Sequence, residues 1–322
     1  MHIKSKMGLI KDNVVEIVTE KELEALLKSK KRPVTYCGYE ISGPIHLGHM
    51  VTTTKLMELG NAGFKVKVLL ADLHTKLNIK GSDEFIREQH KKWERGMKAL
   101  GLKADFILGS SFQFKKEYWD DVMTMATLTS MKRGLRSMQE IARDIENARV
   151  SQILYPLMQI EDIKALGVDV AYGGIEQRKI HMLARELLPK VGYKEPVALH
   201  TPLITSLLGP GKKMSSSVPK SSIFITDNEK MIREKLNGAH CIAGDVKENP
   251  VMDILRLVIF PRIDKFKIER SKKHGGDLVF KEYGEIEATF KNKKVHPLDL
   301  KNSVAEEIIK ILEPVKRKAR FK

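Results

Sequence analysis

Along most of the chain the apolar positions switch between helical spacing and short continuous runs. "TEKELEALLKSKK" has helical spacing, opens with Thr19 and Glu22 in a capping-box pattern and ends in lysines, so it predicts a helix. "PVTYCGYE" and "FKVKVLLADLH" predict strands, the second with the apolar centre of a strand covered on both faces. "SDEFIREQHKKWERGMKALG" predicts a helix: Ser82 or Asp83 caps it, Ile86, Trp93, Met97 and Leu100 share a face, and Gly101 ends it. "KADFILGS", "VDVAYGG" and "EPVALHTPLI" predict further strands, with the helix "EQRKIHMLARELLP" before the last. This alternation predicts an α/β fold built on a Rossmann-like parallel sheet.

Three stretches break the alternation. Residues 117–149 are helical in pattern and rich in Met, Arg and Thr, which predicts a helical insertion between halves of the sheet. "QILYPLMQIEDIKALG" predicts a helix that Pro156 kinks or breaks. After Asp227 the pattern is almost wholly helical. The expected organisation is an α/β domain over residues 1–225 and a basic, mostly helical domain over 226–322.

The 322 residues leave room for two domains. Lys and Arg number 57 against 41 Asp and Glu, a formal charge of +16. Such a field attracts polyanions, although solubility alone would also account for it. Cys37 and Cys241 have no metal-ligand spacing and cannot form a disulfide framework, which fits a reduced compartment. The first residues carry no apolar core of signal-peptide length, and no apolar run is long enough to span a bilayer. A soluble, cytoplasmic protein without a membrane partner is expected.

Two segments concentrate candidate chemistry. In "YEISGPIHLGHM", Gly43 allows a tight entry, Pro44 suits a first helical turn, and His46 and His49 lie three residues apart on one face. A helix N-terminus offers free N–H groups and a positive dipole end, and two imidazoles there can donate to phosphate oxygens. Gly48 between them would let a nucleotide approach closely. Packing histidines explain the bare pattern about as well. Metal binding fits less, because Glu40 and Cys37 give no familiar zinc spacing. In "GPGKKMSSSVPK", Lys213 can pair with a polyphosphate, while Ser215, Ser216 and Ser217 offer hydroxyls and N–H groups. It is not a P-loop, and alone it would read as a solvated turn.

Together "HLGH" and "KMSSS" resemble the two signatures of class I aminoacyl-tRNA synthetases. "YCGYEISGPIHLGH", "LLADLH", "SMQEIAR", "YPLMQIEDI", "GVDVAYGGIEQRKIHMLARELLP" and "HPLDLKNSVAEEIIKILEP" resemble, over nearly the whole chain, tyrosyl-tRNA synthetases of the archaeal and eukaryotic type. The resemblance implies L-tyrosine, ATP with Mg²⁺, and tRNA(Tyr) rather than DNA as partners, and a homodimer joined through the helical insertion. It implies His46, His49 and Lys213 as catalytic residues, with Gly48, Met214 and Ser215 to Ser217 at ATP. Tyr36 and Asp162 match the residues that bind the substrate phenol. Tyr155, Gln159 and Gln177 match those that hold its amino group. Arg136, Arg178 and Lys179 match contacts to the tRNA acceptor stem. His274, His296 and Asp299 match the anticodon contacts, although His296 and Asp299 would equally serve as a helix entry and cap.

Two positions depart from close relatives of that type. His274 stands where phenylalanine is common, and Val218 stands where a lysine follows the serines, with Lys212 and Lys220 nearby. The alternatives are a tryptophanyl-tRNA synthetase, a small-molecule adenylyltransferase using the HxGH turn, and a non-catalytic RNA-binding module. The paired Tyr36 and Asp162 favour a phenol over an indole. The KMSSS segment and the basic helical domain speak against the adenylyltransferase.

Overall fold

The computed structural model describes residues 3–141 and 147–320, and of His274 the backbone alone. Six strands form one sheet in the order β1-β6-β5-β2-β3-β4. They are β1 (Glu16–Val18), β2 (Val34–Tyr39), β3 (Lys65–Leu70), β4 (Asp105–Leu108), β5 (Val170–Gly174) and β6 (Val197–Thr201). β2 to β6 pair in parallel, as their sequences predict. β1 is a correction to the expected parallel sheet. It pairs antiparallel with β6, placing Glu16 opposite His200. Three residues carry too little pattern to announce a strand.

The helices in chain order begin with α1 (Ile3–Lys11), α2 (Glu20–Ser29), α3 (Leu47–Asn61), α4 (Asp72–Leu77) and α5 (Asp83–Ala99). α6 (Lys116–Thr127), α7 (Met131–Met138), α8 (Val150–Ala165) and α9 (Arg178–Leu187) follow. The last are α10 (Glu229–Asn237), α11 (Pro250–Ile254), α12 (Tyr283–Lys291) and α13 (Pro297–Ala319). The capping box of α2 forms: Glu22 N–H donates to the Thr19 hydroxyl, and Thr19 N–H donates to the Glu22 carboxylate. The apolar run expected as one strand stops at Leu70, and Asp72 opens α4. Pro156 neither breaks nor ends α8, which continues to Ala165. Proline removes one backbone bond, and burial of Tyr155, Pro156, Leu157 and Met158 holds the helix together across the gap.

The chain divides into two compact units. The first holds Met1–Ser42, Lys55–Glu94 and Gly101–Pro202, and the second holds Gly43–Thr54, Arg95–Leu100 and Leu203–Lys322. In the first unit β5 and β6 are buried throughout, as parallel strands covered on both faces should be. Its core joins Tyr36 and Leu69 of the sheet to Tyr118, Val122 and Met125 of α6, Met138 of α7 and Ile160 of α8. α6 and α7 of the expected helical insertion are therefore part of that core, while its residues 142–146 lie outside the described residues. Asp169, just before β5, accepts a 2.6 Å hydrogen bond from Val34 N–H and pairs with Lys30 and Lys194. It fixes where β2 begins against β5.

In the second unit α10 packs along α13, and an Arg233–Glu306 pair at 2.5 Å spans the two. α11 runs into a π-helical turn over Leu255–Ile259. The unit is mostly helical, but it also holds an antiparallel hairpin of β7 (Phe266–Ile268) and β8 (Leu278–Phe280), which the helical pattern hides. Among the described residues, no helix is long and apolar enough to cross a membrane.

Candidate functional site

The second unit brings the two signature segments together. Leu47 N–H donates to Ile223 O and Ile225 N–H donates to Ile45 O, both at 3.0 Å, so His46 bridges to Phe224. The segment after KMSSS is thus hydrogen-bonded to the segment that enters α3. Pro44 lies in the irregular stretch before this helix, not in its first turn. The expected free amides are also absent. Leu47 N–H goes to Ile223 O, Gly48 N–H to His46 Nδ1, and the N–H groups of His49 and Met50 to His46 O. The imidazole pair of His46 and His49 stands at this helix start.

The hydrogen bonds fix which ring edge is offered. His46 Nδ1 accepts from Gly48 N–H, and His49 Nδ1 accepts from His46 N–H, each at 3.1 Å. In a neutral ring with Nδ1 accepting, the proton sits on Nε2. The rings stack with centroids 3.8 Å apart. Burial pushes the His46 pKa down to about 3, and the Lys213 charge adds to this. Burial, then His46 and Lys213, likewise hold His49 well below the usual imidazole value. Both rings are neutral donors at neutral pH. A Cβ at Gly48 would come within 2.8 Å of the His46 ring, so glycine is needed there to seat the histidine.

The KMSSS loop is organised from one end. Met214 is buried and its N–H donates to Ile204 O at 3.0 Å, while Lys213 on the bridge to Thr205 is exposed. Ser217 N–H donates to the Ser215 hydroxyl at 3.3 Å. Ser221 and Ser222, both buried, hold Ser215 from beyond the motif. Ser221 Oγ accepts from Ser215 N–H and donates to Val218 O, and Ser222 Oγ donates to Ser215 O. Ser216 packs so closely on Gly43 that a Cβ there would meet it at 2.8 Å. Val218 is exposed and brings no charge.

The first unit gathers the other predicted side chains. Tyr36 on β2 and Asp162 on α8 are both buried. Burial and the Asp162 charge raise the Tyr36 phenol, while a hydrogen bond from Gln159 pulls the other way. Gln159 Nε2 donates to Gln177 Oε1 at 3.1 Å. The ring of Tyr155 meets His74 edge-on at 4.6 Å, and Glu40 holds its hydroxyl. Asp162 Oδ1 accepts from Gln113 Nε2 at 2.7 Å and from the Tyr118 hydroxyl at 2.9 Å. Asp162 Oδ2, 3.6 Å from His74 Nε2, has no hydrogen bond, and neither has that nitrogen nor Gln113 Oε1. Buried polar atoms are nearly always satisfied, so the facing pair of Asp162 Oδ2 and His74 Nε2 is suited to a polar group that can bond to both. Burial raises the Asp162 pKa. Sequence reasoning missed Gln113 and Tyr118, which lie 49 and 44 positions from Asp162. His74 was visible only as the last residue of "LLADLH".

A separate cleft in the first unit is lined by Arg133, Arg136, Arg178, Lys179 and Glu186. It brings together the three cations that the sequence pointed to as acceptor-stem contacts, and adds Arg133. Arg133 forks onto Glu186 at 2.8 and 2.5 Å, and Lys179 pairs with Glu140 at 3.0 Å. In the second unit His296 is the N-cap of α13, its Nδ1 accepting from Leu298 N–H at 3.2 Å, and Asp299 lies in the first turn. The side chain of His274 lies outside the described residues.

Comparison with known proteins places residues 28–313 in the family described as tRNA synthetases class I (W and Y). A tyrosine–tRNA ligase from Methanococcoides burtonii is 48% identical over 96% of this chain and 98% of its own length. One from Methanopyrus kandleri is 48% identical over 98% of each. The crystal structure of a tyrosyl-tRNA synthetase from Archaeoglobus fulgidus, complexed with L-tyrosine, superposes with a TM-score of 0.95. It is 47% identical and covers 99% of this chain and 100% of its own.

Proposed function

The chain belongs to the class I tRNA synthetases of the tryptophan and tyrosine family, and from that premise we infer that it is an ATP-dependent tyrosine–tRNA ligase. The observation that carries tyrosine over tryptophan is the buried pair of Tyr36 and Asp162: a phenol hydroxyl can accept from the Tyr36 hydroxyl and donate to Asp162 Oδ2, whereas an indole N–H only donates. Phenylalanine would leave that carboxylate oxygen desolvated and unpaired, which costs about 1–3 kcal/mol for each such group. The full-length similarity to tyrosine–tRNA ligases supports the same choice.

In the first step a carboxylate oxygen of tyrosine attacks the α-phosphorus of ATP, and the bond to the bridging oxygen of pyrophosphate breaks. No protein nucleophile takes part, so catalysis rests on positioning and on stabilising phosphoryl charge. His46 and His49 donate from Nε2 to phosphate oxygens, and Gly48 seats them. Lys213 supplies the positive charge for the leaving pyrophosphate, on a loop anchored by the buried Met214 and whose Ser215, Ser216 and Ser217 provide hydroxyls. Mg²⁺ would enter with ATP and would supply neutralisation of phosphate charge. In the second step a terminal ribose hydroxyl of tRNA(Tyr) takes the tyrosyl group and AMP leaves.

Tyr155, Gln159 and Gln177 hold the substrate's amino group. Arg136, Arg178 and Lys179 contact the acceptor end of the tRNA, a role supported by their convergence in one basic cleft. Residues 1–225 form the catalytic domain, and 226–322 bind the anticodon through His296, Asp299 and His274. The enzyme works in the cytoplasm as a homodimer, with Met123, Leu128 and Met131 exposed on and between α6 and α7 as the apolar surface for the partner. A monomer in sedimentation at micromolar concentration would count against that assembly. The function is tested by ATP–pyrophosphate exchange across the amino acids. Exchange is expected with tyrosine; exchange driven by tryptophan, or none, overturns the assignment.

A further inference from the structure

Arg178 differs from the other cations of the basic cleft in what holds it. Its Nε lies 2.6 Å from Glu16 Oε1. Glu16 sits on the antiparallel edge strand β1, directly opposite His200 of β6, and the same carboxylate oxygen is 3.0 Å from His200 Nδ1. His200 is fully buried, and its Nε2 is 2.9 Å from Nδ1 of His181, also buried. His181 stands three residues after Arg178 on α9, so both lie on one face of that helix. The helix is therefore tied to the sheet edge at two points through one carboxylate and one imidazole.

An exposed ion pair between flexible side chains contributes little and orients little. Here the anion is a short-tethered carboxylate on a paired strand, backed by a buried ring, and its side chain is only 25% exposed. His200 Nδ1 lies against Glu16 Oε1 at 3.0 Å without a formed hydrogen bond, while its Nε2 is hydrogen-bonded to His181 Nδ1, so the carboxylate is backed by a ring that is itself held in place. Arginine's fork has five donors in fixed geometry. The 2.6 Å ion pair occupies the Nε edge, restricts the guanidinium and leaves terminal nitrogens for a ligand. Arg133 and Lys179 are paired with carboxylates on exposed helical and turn positions and have no such backing.

We propose that Glu16 is a positioning residue for RNA recognition: edge strand β1 carries it to the start of α9, where, backed by His200, its charge holds the Nε edge of Arg178 in place before the acceptor end arrives. This rests on the assignment of Arg178 to the acceptor end. It also gives β1 a purpose beyond closing the sheet.

The test uses the full chain, a tRNA(Tyr) transcript and the variants Glu16→Gln, Arg178→Ala and the double variant. Glu16→Gln should raise the KM for tRNA about tenfold and leave tyrosine-dependent ATP–pyrophosphate exchange within about twofold of wild type. In the Arg178→Ala background the same change should add less than about twofold, because its effect passes through that arginine. An unchanged KM for tRNA in Glu16→Gln, a full additional effect in the double variant, or a loss of exchange overturns the positioning role. An unchanged KM for tRNA in Arg178→Ala overturns instead the assignment of the cleft itself.

Discussion

Asp162 and Lys213 stand at opposite ends of a range of exposure. Asp162 is fully buried on a long helix and shares one oxygen between two other buried side chains. Lys213 is exposed on a loop that serine hydroxyls and backbone groups hold from one side. The difference fits the two tasks proposed for them. Discrimination between amino acids that differ by one hydroxyl needs a dry, rigid site where a missing hydrogen bond is costly. Stabilising a leaving pyrophosphate needs a cation that can approach as charge develops and then let the product go. Burial serves the first task and would hinder the second.

The largest effect should come from the exposed side of this comparison. Lys213→Ala or His49→Ala is expected to slow tyrosyl-adenylate formation about 10²–10³-fold in single-turnover kinetics, with tyrosine affinity almost unchanged. Near-normal rates would remove the contrast, since both residues would then be packing or surface groups.

A smaller effect is expected in the buried pocket. Asp162→Ala should cut the preference for tyrosine over phenylalanine about 10- to 100-fold, the worth of one buried acceptor. Selectivity is read from exchange with the two amino acids. An unchanged ratio would mean that the orphaned Oδ2 does not meet the phenol.

The smallest effect concerns the histidines, which belong to the exposed side by function and to the buried side by environment. Burial lowers both pKa values, that of His46 to about 3, so the folded protein binds fewer protons there than the unfolded chain. Their contribution to stability is therefore complete above the unfolded value near 6.5 and is lost as pH falls through it toward the folded value. In nitrogen-15 NMR both rings should carry the proton on Nε2, unchanged from about pH 8 to about pH 5. A transition near 6.5, or a proton on Nδ1, would show rings open to water and erase the distinction.

Much of the fold is legible in the sequence because its signals are local. The capping box of Thr19 and Glu22 forms as written, and Ile86, Trp93 and Met97 turn one buried face of α5 inward while Leu100 is half-buried. Five of the six strands lie in apolar runs that mark them. Where local signals fail, something distant decides. β1 is three residues long and exists by pairing with β6, which lies some 180 positions further along the chain. Pro156 alone would break a helix, and its buried neighbours do not let it. The amides expected to be free at the start of α3 are used by His46 and Ile223, and spacing cannot reveal the second.

The sequence by itself determined the alternating α/β pattern, the positions of HLGH and KMSSS, and the residue types of the proposed tyrosine pocket, since periodicity, caps and motifs are properties of neighbours. Tertiary structure alone decided that Gln113 and Tyr118 share one oxygen of Asp162 and leave the other open, and that Ser221 and Ser222 secure Ser215. It also decided that Glu16 meets Arg178. The physical reason is the range of the interactions. A hydrogen bond acts over about 3 Å in space, and no local pattern in the chain tells which distant segment will supply the partner.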